Sequence, residues 1–205
     1  MATIIAEKLT VGSRWPNVSD WRPLLLVPYH SEGMYDPDRH HRRSIRLRGY
    51  DYSQAGAYFV TLCVHGRECL LGEVAEREVR LSQIGALVEA CWQELPRHYV
   101  HVDLGAFVVM PNHVHGVIVL TGDVGAGFKP APTGSAGKRH ALTEVVRALK
   151  TFSTRRVNTL REMPGLPLWQ RNYYERVIRD EAELARISQY IIDNPASWAD
   201  DEYHP

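Results

Sequence analysis

At 205 residues the chain is long enough for one well-packed domain with extensions. Its 24 Lys and Arg residues balance its 24 Asp and Glu residues, so bulk charge gives no sign of a polyanionic partner and only the distribution of charge can. Cys63, Cys69 and Cys91 form an odd set without zinc-ribbon spacing, no apolar run reaches the length of a membrane span, and the start lacks a clear signal-peptide pattern, so a soluble, cytoplasmic protein with reduced thiols is expected.

The first 33 residues differ from the rest. Thr10 to Glu32 mixes Trp15, Pro16, Trp21, Pro23, a Leu24–Leu26 run and Pro28 without a sustained period, and Met34 then opens Met-Tyr-Asp-Pro-Asp. Two readings stay open: a peripheral extension, or a stretch preceding a native start at Met34. Residues 34–205 are expected to form one domain. Its entry is a basic arm, with Arg39, Arg42, Arg43, Arg46 and Arg48 leading into Gly49-Tyr-Asp-Tyr52.

Ala57 to Val64 is rich in β-branched and aromatic residues and reads as a strand. Cys69 to Leu71 and Val74 to Leu81 add a turn and a short strand. Gln83 to Leu95 reads as a helix, with Ile84, Leu87, Val88, Cys91 and Leu95 on one stripe and Pro96 at its end. Val100 to Met110 is a further strand, and Pro111-Asn112 turns it into an antiparallel partner, His113 to Leu120. Residues 122–137 hold five Gly and two Pro and read as a flexible surface loop. Leu142 to Arg156 is a second long helix, with Leu142, Val145, Val146, Leu149 and Phe152 on its apolar stripe. A last helix starts near Asp180, with Glu183 as an acidic partner three residues on. Leu184, Ile187 and Ile191 form its stripe, and Asn194-Pro195 is expected to end it. This order suggests an α+β fold with helices packed on one antiparallel sheet.

The chemistry concentrates in two short segments. In a strand, side chains alternate between faces, so His113 and His115 share one face with Val117 and Val119, and two imidazoles on a rigid strand can grip one divalent ion. Tyr190 and Asn194, four apart on the last helix, also share a face. If that helix packs near the histidine strand, Asn194 completes a His113–His115–Asn194 site with Tyr190 beside the ion. Imidazole and amide-oxygen ligands suit Mn²⁺ and tolerate Mg²⁺. A cation so placed polarises a phosphodiester, and a phenol of pKa about 10 needs such help to attack. Each residue also has a plainer reading. A histidine pair in a strand is more often packed core than ligand, and Tyr173 and Tyr174 compete with Tyr190 but read as packing near Trp169. His65 reads as a turn residue, His98 and His101 as polar residues at a strand entrance, and Glu175 as an exposed ion-pair member.

Two basic regions are candidate DNA contacts: Arg42, Arg43, Arg46 and Arg48 on the arm, and Arg147, Lys150 and Arg155 on the second long helix. A solvated helix face is the default for such runs. Arg147, Lys150 and Thr154 nonetheless follow one another at i, i+3 and i+7 and make a ridge suited to phosphates.

Taken in order, Arg43-Ser-Ile-Arg-Leu-Arg-Gly-Tyr-Asp-Tyr52, Ala57-Tyr-Phe-Val-Thr61, Met110-Pro-Asn-His-Val-His115, Trp169-Gln-Arg171 with Tyr173-Tyr174, and Tyr190-Ile-Ile-Asp-Asn-Pro195 resemble the single-tyrosine transposases of the HUH superfamily. The likeness is to their REP-associated tyrosine transposase branch, and it runs from about Tyr35 to Trp198. The resemblance implies a ferredoxin-like sheet, a metal-bound histidine pair and a catalytic tyrosine on a C-terminal helix. It further implies cleavage and strand transfer of single-stranded DNA through a 5′-phosphotyrosine link at hairpin-forming repetitive palindromes. By motif position Tyr190 is then the nucleophile and His113, His115 and Asn194 hold Mg²⁺ or Mn²⁺. The loop at 122–137 departs from the compact members and leaves the placement of the following helix open. A catalytically idle or domesticated hairpin-binding protein and a phosphoesterase that activates water remain rivals. The sequence leaves the oligomeric state open between monomer and homodimer.

Overall fold

The computed structural model describes residues 50–121 and 140–205, all of which lie in the compact unit Ser44–Pro205. The Met34 start, the arm residues Arg42, Arg43, Arg46 and Arg48, and the loop at 122–137 fall outside the described residues.

A four-stranded antiparallel sheet organises the domain. In chain order its members are β1 (Gly56–Cys63), β4 (Val102–Val109), β5 (His113–Leu120) and β6 (Tyr174–Ile178). Across the sheet they run β4-β5-β1-β6, and every neighbouring pair is antiparallel. This is the ferredoxin-like order. Between β1 and β4 lie a separate hairpin, β2 (Gly72–Ala75) with β3 (Glu78–Leu81), the helix α1 (Gln83–Gln93) and the single turn α2 (Leu95–His98). The long helix α3 (Leu142–Arg161) precedes β6, and α4 (Glu181–Asp193) follows it. Among the described residues no helix is long and apolar enough to cross a membrane.

The alternation of the strands builds two cores on opposite faces of the sheet. Tyr58, Val60 and Leu62 of β1 and Val114, Ile118 and Leu120 of β5 bury against Ile84, Val88 and Trp92 of α1 and Val145, Val146 and Leu149 of α3. Phe59 of β1 and Val117 of β5 face the other way and bury against Ile187 and Ile191 of α4. α4 therefore packs on the opposite face from α1 and α3, the face that carries the odd-numbered residues of β5. Gly116 belongs to the opposite face. A Cβ there would sit 2.5 Å from the Trp92 ring, so this strand can lie under α1 only with glycine at that position.

Several expectations change. The one short strand expected over Val74 to Leu81 is instead a hairpin whose strands pair from Gly72 to Leu81, turned at Glu76 and Arg77, which both take positive φ. α3 runs on to Arg161 and closes at Glu162 in the left-handed conformation. Phe152 is not on the buried stripe: it is 45% exposed and stacks on His98. β6 was not anticipated, since Tyr-Glu-Arg-Val-Ile sets two adjacent charges before two apolar residues and so lacks a strand-like alternation, at a sheet edge. Glu175 is buried opposite Val60 and not exposed.

α4 does end at Asn194-Pro195, with Asn194 as its C-cap, but the chain stays helical beyond it. Asn194 keeps helical angles, and Pro195 starts a 3₁₀ helix over Asn194–Asp200. A first-turn proline lacks only an N–H that would have no intrahelical partner there. This continuation carries the last five residues back over the sheet.

Candidate metal and tyrosine site

β4 and β5 are joined across Pro111-Asn112, with Met110 N–H donating to the His113 carbonyl at 2.8 Å. β5 then sets His113 opposite Cys63 and His115 opposite Thr61. Both histidines are essentially inaccessible, at 0% and 1% exposure. Each imidazole is held at its Nδ1. Asn112 Oδ1 lies 2.9 Å from Nδ1 of His113, and Thr61 Oγ1 lies 2.8 Å from Nδ1 of His115. The Asn112 amide already donates to the carbonyls of Arg67 and Tyr203, so its oxygen accepts and Nδ1 of His113 carries the hydrogen. The lone pair of His113 is thereby on Nε2. Thr61 can accept as well as donate, so His115 can present its Nε2 lone pair too.

The two Nε2 atoms are 3.0 Å apart. Two ligand atoms on adjacent vertices of an octahedron with bonds of about 2.0–2.1 Å stand at nearly that separation. Burial first, and then the Arg67 guanidinium, pushes His113 down to about 3. Burial also pushes His115 down to about 3, helped by His113 and opposed by Asp201. Both rings are thus neutral at physiological pH, the state in which imidazole ligates metal.

α4 brings the other two residues named from sequence. Asp180 caps it by accepting from Glu183 N–H at 2.7 Å. Tyr190 Oη lies 3.3 Å from His115 Nε2, with ring centroids 5.4 Å apart. Asn194 is buried at the end of the same helix. Its Nδ2 donates to Asp201 Oδ2 at 3.2 Å, while its Oδ1 is buried without a hydrogen-bond partner among the described residues. A buried carbonyl oxygen without a partner costs stability unless something positive meets it. Asn194 is one hydrogen bond away from Asp201, whose carboxylate offers a ligand atom within 4.8 Å of those of both histidines, and an amide oxygen with two neutral imidazoles is a donor set that fits a hard or borderline divalent cation.

Burial raises the Tyr190 phenol above its ordinary pKa, and Asp201 and Glu202 push the same way. A hydrogen bond with Asn194 opposes them. The phenol is still 45% exposed and opens on a cavity of about 360 Å³. Phe59, Tyr174, Arg176 and Arg186 line that cavity. Arg176 is paired with Glu183 at 2.6 Å, and Tyr174 packs edge-on to Phe59. Tyr174 lines the same cavity from the edge strand, opposite Thr61, but Tyr190 is the tyrosine that hydrogen-bonds His115; Tyr173 packs against the core on the other face.

Arg147, Lys150 and Arg155 line one groove of about 670 Å³ on α3, together with Arg171 and Tyr173. Arg147 and Arg155 are exposed. Lys150 instead donates to the carbonyls of Gln170 and Arg171 at 2.6 and 2.9 Å, and burial lowers its pKa. It ties down the chain between α3 and β6. His101 and His140 stack and join through the His140 backbone, and His65 forms a 3₁₀ turn with Gly66 and Arg67.

Sequence reasoning missed Asp201, Tyr203, Asn112 and Thr61. Thr61 was findable as the polar residue on the His-facing side of an otherwise apolar strand. Asp201 lies seven residues after Asn194, two helical turns, but Pro195 hid that phase.

No family model matches the chain. A protein of Haemophilus influenzae that is itself uncharacterised is 35% identical over 176 residues, covering 83% of this chain and 97% of its own length. A solved structure of a REP-associated tyrosine transposase bound to a REP hairpin superposes with a TM-score of 0.50 at 21% identity, covering 75% of this chain and 73% of that one.

Proposed function

We propose that this chain, which belongs to one family with the Haemophilus influenzae protein and has the fold of a REP-associated tyrosine transposase, cuts and rejoins single-stranded DNA through Tyr190. The observation that carries the reading is the approach of the Tyr190 phenol to Nε2 of His115, itself 3.0 Å from Nε2 of His113, on the helix that ends at Asn194, whose oxygen has no hydrogen-bond partner among the described residues. His113, His115 and Asn194 are the residues that would hold Mg²⁺ or Mn²⁺. Such an ion supplies Lewis-acid polarisation of the scissile phosphate and favours the phenolate.

The protein residues do the rest. Asn112 and Thr61 fix the imidazole rings. Tyr190 Oη attacks phosphorus, a Tyr–O–P bond forms, and the bond to the 3′-oxygen breaks. The phenol gives up one proton and the departing 3′-oxygen gains one, so the step is balanced. The product is a 5′-phosphotyrosine, and attack by another 3′-hydroxyl reverses it without ATP. The cavity beside Tyr190 offers aromatic faces in Phe59 and Tyr174 for bases, and Arg176 and Arg186 for phosphates. Arg147 and Arg155 on α3 and the arm residues Arg42, Arg43, Arg46 and Arg48 are further phosphate contacts. The substrate class is a hairpin-forming palindromic repeat, in keeping with the ligand of the solved transposase.

The test is incubation with Mn²⁺ and hairpin oligonucleotides carrying single-stranded flanks, read on a denaturing gel. A metal-dependent, denaturation-resistant protein–DNA band is expected. Turnover without such a band would replace the reading with a water-using phosphoesterase. Hairpin binding without turnover would replace it with an idle DNA-binding protein.

A further inference from the structure

The two histidines are closed over by the end of the chain, and one residue there has the chemistry of a ligand. Asp201 follows the 3₁₀ helix, and its carboxylate and the ring nitrogens of His113 and His115 offer ligand atoms all within 4.8 Å of one another. Both oxygens of that carboxylate are oriented. Oδ1 accepts from Tyr203 N–H at 2.7 Å, and Oδ2 accepts from Asn194 Nδ2 at 3.2 Å. A carboxylate oxygen accepts at more than one lone pair, so these bonds aim the group and leave it able to ligate.

The tail that carries Asp201 is itself anchored to the site. The Tyr203 carbonyl accepts from Asn112 Nδ2 at 2.7 Å, and Asn112 is the residue that holds Nδ1 of His113. The Tyr203 ring lies 4.6 Å from the His113 ring, and the Arg67 guanidinium lies 5.3 Å from the Tyr203 ring centroid. Arg67 also donates to the Glu202 carbonyl at 3.3 Å. One side chain, Asn112, therefore fixes an imidazole and docks the tail together.

Charge gives the carboxylate its purpose. Two neutral imidazoles and one amide oxygen leave a divalent ion with its full charge in a buried place, and one carboxylate halves it. We infer that Asp201 is a carboxylate ligand of the ion held by His113, His115 and Asn194, so that the C-terminal tail is part of the metal centre. This rests on the metal-site reading above and adds to it a ligand from outside the histidine strand and the tyrosine helix.

The test measures Mn²⁺ affinity of the full chain by calorimetry, with thermal melting of the metal-free protein as the check on folding. Asp201→Asn keeps one acceptor, an amide oxygen for the Tyr203 N–H, and removes the charge together with the oxygen that meets Asn194 Nδ2. It is expected to weaken Mn²⁺ by about tenfold or more, with the metal-free protein still folded and melting in one cooperative transition. Asp201→Cys replaces a hard ligand by a soft one and is expected to shift preference from Mn²⁺ towards Cd²⁺ relative to wild type, which carries the same three other thiols. A residue that only positions Asn194 would produce no such shift. Wild-type affinity in Asp201→Asn, or wild-type metal preference in Asp201→Cys, would overturn the inference. His113→Ala separates the two levels. If it loses Mn²⁺ while Asp201→Asn keeps it, the role of Asp201 alone fails; if His113→Ala keeps Mn²⁺, the metal site itself fails.

Discussion

Tyr190 and His115 are 75 residues apart in sequence, yet the phenol oxygen of one lies 3.3 Å from Nε2 of the other. Two features impose this approach. The odd face of β5 carries His115 towards α4, and Ile187 and Ile191 seat α4 on Phe59 and Val117. Because Tyr190 is partly exposed, its hydroxyl can be removed without opening the core. Tyr190→Phe is expected to keep hairpin binding, Mn²⁺ affinity and melting temperature while cleavage falls by about 10⁴-fold or more, the scale seen when a nucleophile is deleted. Single-turnover cleavage beside a binding titration checks it; wild-type cleavage by Tyr190→Phe would remove the phenol from the mechanism.

Binding of Mn²⁺ to the folded state alone should stabilise the protein by about 3 kcal/mol when the free ion is at a hundred times its Kd. EDTA should reverse the gain and abolish cleavage. His115→Gln should show no metal-dependent rise in melting temperature. A rise of wild-type size in that variant would contradict ligation by His115.

The metal-free protein should lose stability in acid through the same two rings. Their folded pKa values lie near 3, below the ordinary 6.5, so well above pH 6.5 neither state binds a proton there. As pH falls below 6.5 the unfolded chain takes up protons that the folded chain refuses, and stability declines until the folded pKa is reached. At pH 5 the cost is about 2 kcal/mol per ring. Urea unfolding at pH 7.5 and 5.0 measures it, and His115→Gln should shallow the decline. An unchanged slope in that variant would show that His115 is not a buried neutral ring.

Gly116→Ala tests the packing that fixes the histidine strand. The new methyl would lie 2.5 Å from the Trp92 ring, itself buried against Phe107. Overpacking of this kind costs about 1–3 kcal/mol. A denaturant midpoint unchanged from wild type would mean that α1 moves away freely.

The α3 groove predicts two different outcomes for its cations. Arg147→Ala and Arg155→Ala should each weaken DNA evenly across sequences and reduce the salt slope by about one. Lys150→Ala should instead lower melting temperature, since its ammonium holds the Gln170 and Arg171 carbonyls. Fluorescence titrations at several salt concentrations, with parallel melts, separate the two behaviours.

What the chain disclosed in advance follows from periodicity. Period two put His113 and His115 on one face, and a spacing of four put Tyr190 and Asn194 on another, so each half of the site was legible. The ferredoxin-like character came with the family resemblance, and the strand order agrees with it. Asp201 was not legible, because its place depends on Pro195 starting a turn where proline usually stops a helix. β6 was missed because an edge strand that buries Glu175 on one side and presents Arg176 on the other lacks an apolar alternation. Phe152 was misassigned because it lies at the rim of the α3 stripe, where the facing partner is a histidine and not the sheet.

The central claim is a covalent bond between Tyr190 and DNA. The most direct measurement is mass spectrometry of the wild-type protein after reaction with Mn²⁺ and a hairpin oligonucleotide, followed by nuclease and protease digestion. A nucleotide 5′-phosphate mass on the peptide containing Tyr190, absent in EDTA, is the result predicted here. Cleaved oligonucleotide with an unmodified Tyr190 peptide, or the adduct on Tyr173, Tyr174 or Tyr203, would contradict it.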